Sequence, residues 1–261
     1  MNNVNKTLYI PLYGKAYVSK TGLFLSDKKA KEIWEAEGFK LRGKAKSKWL
    51  AYYMGIRSAV FDGWVKEQTS AIPDAAIIHI GCGMDSRIIR VGASGHKWYD
   101  VDFPEVIKER EKYYTESDEY SMIAGDARSP EKWLGAVSEK SAIIVMEGVS
   151  MYLAPDELRG LMTAISETFD RVALLVDCYS RFAAKMSKLK NPIKSVGVSR
   201  VYGLDDPDEI ATDALIFISE HNMTPERYID ELSGSEKRIF NKLYAGGFSK
   251  KLYRLYEYKK A

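Results

Sequence analysis

A chain of 261 residues with 46% hydrophobic and 29% charged residues carries enough apolar surface for one sizeable core, which excludes global disorder. Its 39 basic and 36 acidic residues leave a formal charge of +3, too small a field to steer nucleic acid. Cys82 and Cys178 stand far apart without metal-ligand spacing, and no stretch approaches the roughly 20 apolar residues of a membrane span. A cytoplasmic chain without disulfides, metal, membrane or nucleic-acid partner is the expectation.

In chain order, Asp27 to Glu37 and Ser47 to Thr69 place apolar residues at helical spacing, the second through Trp49, Tyr52, Tyr53, Ile56, Val60, Phe61 and Trp64. Between them Lys40, Arg42, Lys44, Lys46 and Lys48 alternate with small or apolar residues, a pattern read as a solvated segment, with an anionic contact as the alternative. After the break at Pro73 and Asp74, Ala76 to Ile80 reads as a buried strand that ends in a glycine turn. The pattern then alternates: strand Lys97 to Val101, helix Pro104 to Tyr114, strand Ser121 to Ala124, strand Ala142 to Met146, helix Pro155 to Phe169, strand Val172 to Val176. Such alternation implies right-handed crossovers and a mainly parallel, doubly wound α/β sheet. A helix from Arg181 to Leu189, a loop through Gly197 to Gly203, and a late strand, helix and strand (ALIFISEHN, Ser235 to Tyr244, KLYRLYEYK) complete the sheet with an antiparallel pair. One domain is expected, with a helical cap at 1–72, a core at 73–180 and a substrate cover at 181–261.

The chemistry is concentrated in the loops that follow the strands. HIGCGMDSR, from His79 to Arg87, sets Gly81, Cys82 and Gly83 directly after the first strand, where glycines permit a tight turn and close approach of a ligand to the backbone. Ser86 stands where a dinucleotide site has its third glycine. Asp102 follows about 20 residues later, at the distance of a ribose-binding acid. Asp100 projects to the same side and competes with it, but Asp102 lies nearer the strand's carboxyl end, where crevice ligands bind. GDAR (Gly125 to Arg128) and EGVSMYLAP (Glu147 to Pro155) supply Asp126 and Glu147 at the same edge. A charged Glu147 directly after the apolar run AIIVM needs a partner, either a nearby Arg or Lys or the ammonium of a ligand.

The ordered set formed by Arg57, HIGCGMDSR, WYDVDFPEVI, GDAR and EGVSMYL resembles the leucine carboxyl methyltransferase-like family, which includes polyketide O-methyltransferases; the resemblance is collinear from about Arg57 to Tyr179. It implies a seven-stranded class I methyltransferase fold and S-adenosylmethionine as methyl donor, with S-adenosylhomocysteine as product. It further implies that Arg57 contacts the methionine carboxylate, with Gly81, Cys82 and Gly83 beneath. Asp102 then takes the ribose, Asp126 and Ala127 the adenine side, and Glu147 lies near the amino group. Arg128 matches an arginine at the acceptor carboxylate, and Tyr152 falls in the acceptor-side loop. Ala127 and Met84 both replace the family's usual Leu.

The expected reaction is O-methylation of a small molecule, a polyketide or other metabolite, with a protein C-terminal carboxylate as the alternative acceptor. A carboxylate would need only orientation, for which a bidentate Arg128 is suited, whereas a hydroxyl would need a base. His79, His96 and His221 are weak candidates for that base. Tyr9, Tyr13, Tyr17, Trp49, Tyr52 and Tyr53 read equally as a lid or as core contacts. Two readings of other classes share the strand, turn and acid: a nicotinamide-dependent oxidoreductase, which would need a full dinucleotide fingerprint, and a non-catalytic nucleotide-binding module.

Overall fold

The computed structural model describes residues 8–39, 41, 43–92, 95–189 and 201–260. Lys40, Arg42 and the start of the expected 197–203 loop lie outside these residues. Three helices precede the sheet: α1 (Tyr9–Thr21), α2 (Lys28–Glu37) and α3 (Lys48–Ala71). The apolar spacing did not announce α1, because its sequence holds Pro11 and Gly14. Pro11 falls in the first turn, where a missing N–H costs nothing. Gly14 and Gly55 let α1 and α3 approach closely: a Cβ on Gly14 would stand 2.6 Å from Met54 Cβ, and one on Gly55 2.8 Å from Val18. Asp27 caps α2 by accepting the Ala30 N–H at 2.8 Å.

The alternating segment forms β1 (Ala76–Ile80), α4 (Arg87–Val91), β2 (Trp98–Asp102), α5 (Pro104–Arg110), β3 (Tyr120–Ala124), β4 (Ser141–Met146), α6 (Pro155–Thr168), β5 (Arg171–Tyr179) and α7 (Arg181–Leu189). The remainder forms β6 (Ile216–Glu220), α8 (Glu226–Ile229), α9 (Gly234–Phe240), α10 (Gly247–Lys250) and β7 (Tyr253–Lys260). Two expected helices are shorter than their spacing suggested. The one beginning at Pro104 ends at Arg110 rather than Tyr114, and that near Ser235 passes at Asn241 into a π-helical turn through Ala245.

The sheet runs in the order β3-β2-β1-β4-β5-β7-β6. β1 to β5 pair in parallel, and β7 inserts antiparallel to both β5 and β6. Alternate residues of the central strands feed two cores. Ile77, Ile143, Val145 and Leu175 pack beneath the N-terminal helices, and Ile78, Ile144, Leu174 and Val176 pack with Leu161 and Ile165 of α6. Burial of both faces explains why these strands read as continuous apolar runs. The order reverses beside β1, so the loops after β1, β2, β3, β4 and β5 open onto one crevice. The antiparallel β7 brings its first residue to that same edge, with Tyr253 paired to Tyr179.

Candidate active site

A cavity of about 1180 Å³ runs along this carboxyl edge. Ligand sites of single small molecules span roughly 300–1,000 Å³, so the space fits a cofactor together with an acceptor. All of Arg57, Gly81, Cys82, Gly83, Asp102, Asp126, Ala127, Arg128, Glu147 and Tyr152 line it.

The turn after β1 is built as the glycines allow. Gly81 and Gly83 have φ of +69° and +52°, and a Cβ on Gly81 would stand 2.2 Å from Val149. Between them Cys82 is buried, which pushes its thiol well up and leaves it a wall rather than a nucleophile. The two competing aspartates separate cleanly. Asp100 is 1% exposed and binds Arg110, the Tyr120 hydroxyl at 2.7 Å and Trp98 Nε1 at 2.9 Å. Burial works to raise its carboxyl, but Arg110 outweighs it and holds the group low. Asp102 instead lines the cavity. It accepts Gly83 N–H at 2.7 Å and Phe103 N–H at 2.8 Å, and burial lifts its carboxyl to about 6 in spite of them. It therefore ties the glycine turn to β2 and makes no side-chain cap to α5.

Glu147 meets Arg57 Nε at 2.9 Å and also the guanidinium of Arg87, the arginine partner that was one of the two alternatives expected for it. Burial opposes ionisation there, yet the two guanidinia hold the carboxyl below its usual range. Arg57 reaches further, to Asp177 Oδ2 at 3.3 Å and the Tyr253 hydroxyl at 3.0 Å. Behind them, Lys15 pairs with Asp85 at 2.8 Å, and Arg90 joins Asp85, Asp27 and Asp62. In this buried network Asp27, Asp62, Asp85, Glu147 and Asp177 face Lys15, Arg57, Arg87 and Arg90, an excess of one carboxylate. Asp177 is the member in which burial prevails, lifting it to about 6.

Arg128 lines the cavity and pairs with its near neighbour Asp126. Its Nε and Nη2 grip both oxygens of Asp126 at 2.6–3.0 Å, and its side chain, 48% exposed, lies over the Phe103 ring. The fork that was expected to orient an acceptor carboxylate is engaged by Asp126 in this structure. Tyr152 sits in a short 3₁₀ turn, Ser150–Tyr152, at the cavity wall.

Among the aromatics expected of a lid or core, only Tyr53 lines the cavity. The others pack against neighbouring rings, as in Tyr13 against Trp34 and Tyr17 against Tyr52, which is core contact. His79 is buried beside Arg87 at 3.1 Å, and burial holds its pKa down. His96 binds the Ala75 carbonyl and His221 binds Glu257, both away from the cavity lining.

Sequence reasoning missed Lys15, Asp177 and Tyr253. Asp177 carried the signal used for Glu147, a charge at the end of an apolar strand. Lys15 sat in a helix not expected, and Tyr253 in a strand whose direction had to be known.

A model of the leucine carboxyl methyltransferase family matches residues 11–166. The chain belongs to this family. As a family member it is an S-adenosylmethionine-dependent methyltransferase. It is 26% identical over 188 residues to the tetracenomycin polyketide synthesis O-methyltransferase TcmP of Streptomyces glaucescens, covering 70% of this chain and 69% of that protein. It is 30% identical over 155 residues to the S-adenosyl-L-methionine-dependent methyltransferase dpfgK of Gibberella zeae, covering 53% and 51% respectively. The fold is shared with a duf574 family protein from Streptomyces avermitilis, at a TM-score of 0.60 and 10% identity over 95% of this chain and 97% of that one. Among the described residues, no helix is long and apolar enough to cross a membrane and no group of His, Cys, Asp and Glu is placed to hold a metal.

Proposed function

We propose that this family member is a small-molecule O-methyltransferase whose acceptor is aromatic. The observation that carries the reading is the wall of the cavity beyond Glu147. Tyr53 stacks on Tyr244 at 5.0 Å and 26°, Tyr179 meets Tyr253 edge-on at 4.9 Å, and Phe182 meets Phe248 at 6.2 Å. All six line the cavity, and flat apolar rings fit such walls through stacked and edge contacts. The O-methyltransferase named for tetracenomycin polyketide synthesis supports the same class.

The residues present fit the methyl donor. The glycine turn leaves the backbone bare, Asp102 offers its carboxylate to ribose hydroxyls, and the network's excess negative charge suits a ligand that carries a cation. Arg57 and Lys15 would hold the methionine carboxylate, Glu147 the amino group, Gly81, Cys82 and Gly83 the chain between, and Asp126 with Ala127 the adenine. When bound, the donor supplies an electrophilic methyl group on a sulfonium. The remaining task of the protein is positioning, which can be worth about 7–11 kcal/mol. In this division the helical cap contributes Lys15 and Arg57 to the donor, and the described residues of the cover contribute Phe182, Tyr244 and Phe248 to the acceptor.

The test offers the enzyme 2-naphthol, 2-naphthoic acid and a peptide ending in Leu, with the products read by mass spectrometry. Methyl ethers or esters of the naphthalenes are expected; methylation of the peptide alone would replace this reading with a protein carboxyl methyltransferase. Because Arg128 belongs with Asp126, Arg128→Ala is expected to raise the calorimetric Kd for S-adenosylmethionine several-fold, the modest effect of an exposed pair. A fall in kcat with Kd untouched would return Arg128 to the acceptor.

A further inference from the structure

The aromatic wall of the cavity has two tiers. The inner one, Tyr53, Tyr179, Tyr244 and Tyr253, is buried or half-buried and carries hydroxyls. The outer one differs. Phe182, Met186, Leu243 and Phe248 are 51%, 43%, 48% and 67% exposed, yet all four line the same cavity. Phe182 and Met186 stand one turn apart on α7 and so share a face. The π-helical turn sets the consecutive residues Leu243 and Tyr244 both on the cavity, and so carries the wall from the inner tier to the outer. α10 then brings Phe248 against Phe182, ring edge to ring face, at 6.2 Å and 81°. Large apolar side chains left together in water mark a surface that a ligand or partner covers. The chemistry of this surface is uniform. Every described cavity-lining residue of α7, the π-helical turn and α10 is uncharged. The two serines among them, Ser187 and Ser249, donate their hydroxyls at 2.8 Å to the Ala184 and Leu243 carbonyls, which turns them back onto the backbone.

We propose that Phe182, Met186, Leu243 and Phe248 form a distal subsite for an uncharged, flat aromatic extension of the acceptor, so that acceptors of more than two fused rings are preferred. This deepens the aromatic-acceptor reading and rests on it. Two observations choose the occupant. The four side chains are continuous with a cavity of about 1180 Å³, beyond the roughly 300–1,000 Å³ of a single-ligand site, which leaves length for an acceptor that reaches from the donor to the mouth. The near-perpendicular pair then sets the shape. A flat ring stacked on one of the two phenylalanines meets the other edge-on, and both contacts are favoured between aromatic rings. A charged or hydrogen-bonding group in the same place would lose water and gain no partner. The reacting oxygen lies at the inner tier, and the extension covers the exposed rings of the outer one.

The experiment titrates the protein, saturated with S-adenosylhomocysteine, with 2-naphthol, 2-naphthoic acid, 1-hydroxypyrene, 1-pyrenecarboxylic acid and decanoic acid, and reads the Kd of the aromatic probes by their fluorescence and that of decanoic acid by calorimetry. Each pyrene is expected to bind about 10- to 100-fold more tightly than the naphthalene with the same polar group, the gain of burying apolar surface the size of one large side chain. Phe182→Ala and Phe248→Ala are each expected to cut that ratio about tenfold; both side chains are more than half exposed, so neither change threatens the fold. Ile218→Ser, at an exposed apolar residue away from the cavity lining, is expected to leave the ratio as it is. Equal affinity for both ring sizes overturns the subsite. A ratio that falls as much in Ile218→Ser as in the phenylalanine variants, or in none of them, shows adsorption elsewhere and overturns it too. Tight binding of decanoic acid with no gain for the pyrenes overturns the flat occupant. Binding reads the subsite and methyl transfer reads the acceptor class, so the two fail separately. Methylated naphthalenes without tighter pyrene binding remove the subsite alone, whereas a peptide as the only methylated compound removes the aromatic acceptor and the subsite with it.

Discussion

Replacing Arg57 by Ala is expected to lower the melting temperature by on the order of 10 °C and to abolish detectable binding of S-adenosylmethionine. The guanidinium is buried between Glu147 and Asp177, and removing one partner from a buried pair costs about 3–5 kcal/mol because the remaining charge is left uncompensated. In a chain of this size each kcal/mol moves the midpoint by about 2–4 °C. The deficit has a pH signature. Asp177 already stands raised to about 6 with Arg57 in place, and losing that cation raises it further. A carboxyl whose folded pKa lies above its unfolded value costs stability while it is ionised, and the cost disappears as pH falls below the folded pKa. The gap between wild type and variant is therefore widest at alkaline pH and narrows toward pH 5. Thermal unfolding across that range checks both statements, and a gap independent of pH would show that Asp177 does not feel Arg57.

What the sequence disclosed follows from which forces are local. Strands buried on both faces must be apolar throughout, so β1, β4 and β5 were legible within one to three residues at their ends, and the glycine turn after β1 was legible because a positive φ asks for glycine. The first helix was not, since Pro11 and Gly14 argue against a helix locally. Both are accommodated by context, Pro11 by its place in the first turn and Gly14 by the contact with α3. The ends of the helices after Pro104 and Ser235 were misjudged because apolar spacing continues past the last helical turn into residues that pack without helical geometry.

The site divides along the same line. Gly81, Asp102, Asp126 and Glu147 each end or follow a strand and are visible in one dimension. The partners that decide what these carboxylates do come from far away in the chain: Arg57 is 90 residues before Glu147, and Tyr253 is 76 residues after Asp177. Arg128 shows the opposite case, a partner that is local. Its neighbour two residues back, Asp126, takes up the bidentate fork, and a reading that placed both in one crevice had no way to see that they face each other.

The contrast between Asp102 and Asp100 makes the sharpest test of the cofactor end. Asp102→Ala is expected to weaken S-adenosylmethionine by about 10²-fold: two hydrogen bonds from ribose hydroxyls to a charged acceptor are worth about 3 kcal/mol together, and 1.4 kcal/mol is a factor of ten. Stability should change little. An aspartate raised from 3.8 to about 6 is ionised at neutral pH against the preference of the fold, at a cost on the order of 3 kcal/mol, so its removal relieves a penalty while exposing only the Gly83 and Phe103 N–H groups to the cavity. Asp100→Ala does the reverse. It strands Arg110, which is fully buried, and is expected to cost about 3–5 kcal/mol of folding free energy while the protein that remains folded binds the donor nearly as before. The same raised carboxyl sets a pH dependence for binding: the ionised form accepts the ribose hydroxyls, so affinity falls as pH drops through about 6, and binding near that pH releases a proton. Calorimetry in buffers of different ionisation enthalpy measures that release. Equal loss of affinity in both variants, or no proton release, would mean that Asp102 is not the ribose acid, and the excess negative charge beside β1 would then have to be explained by the buried network alone.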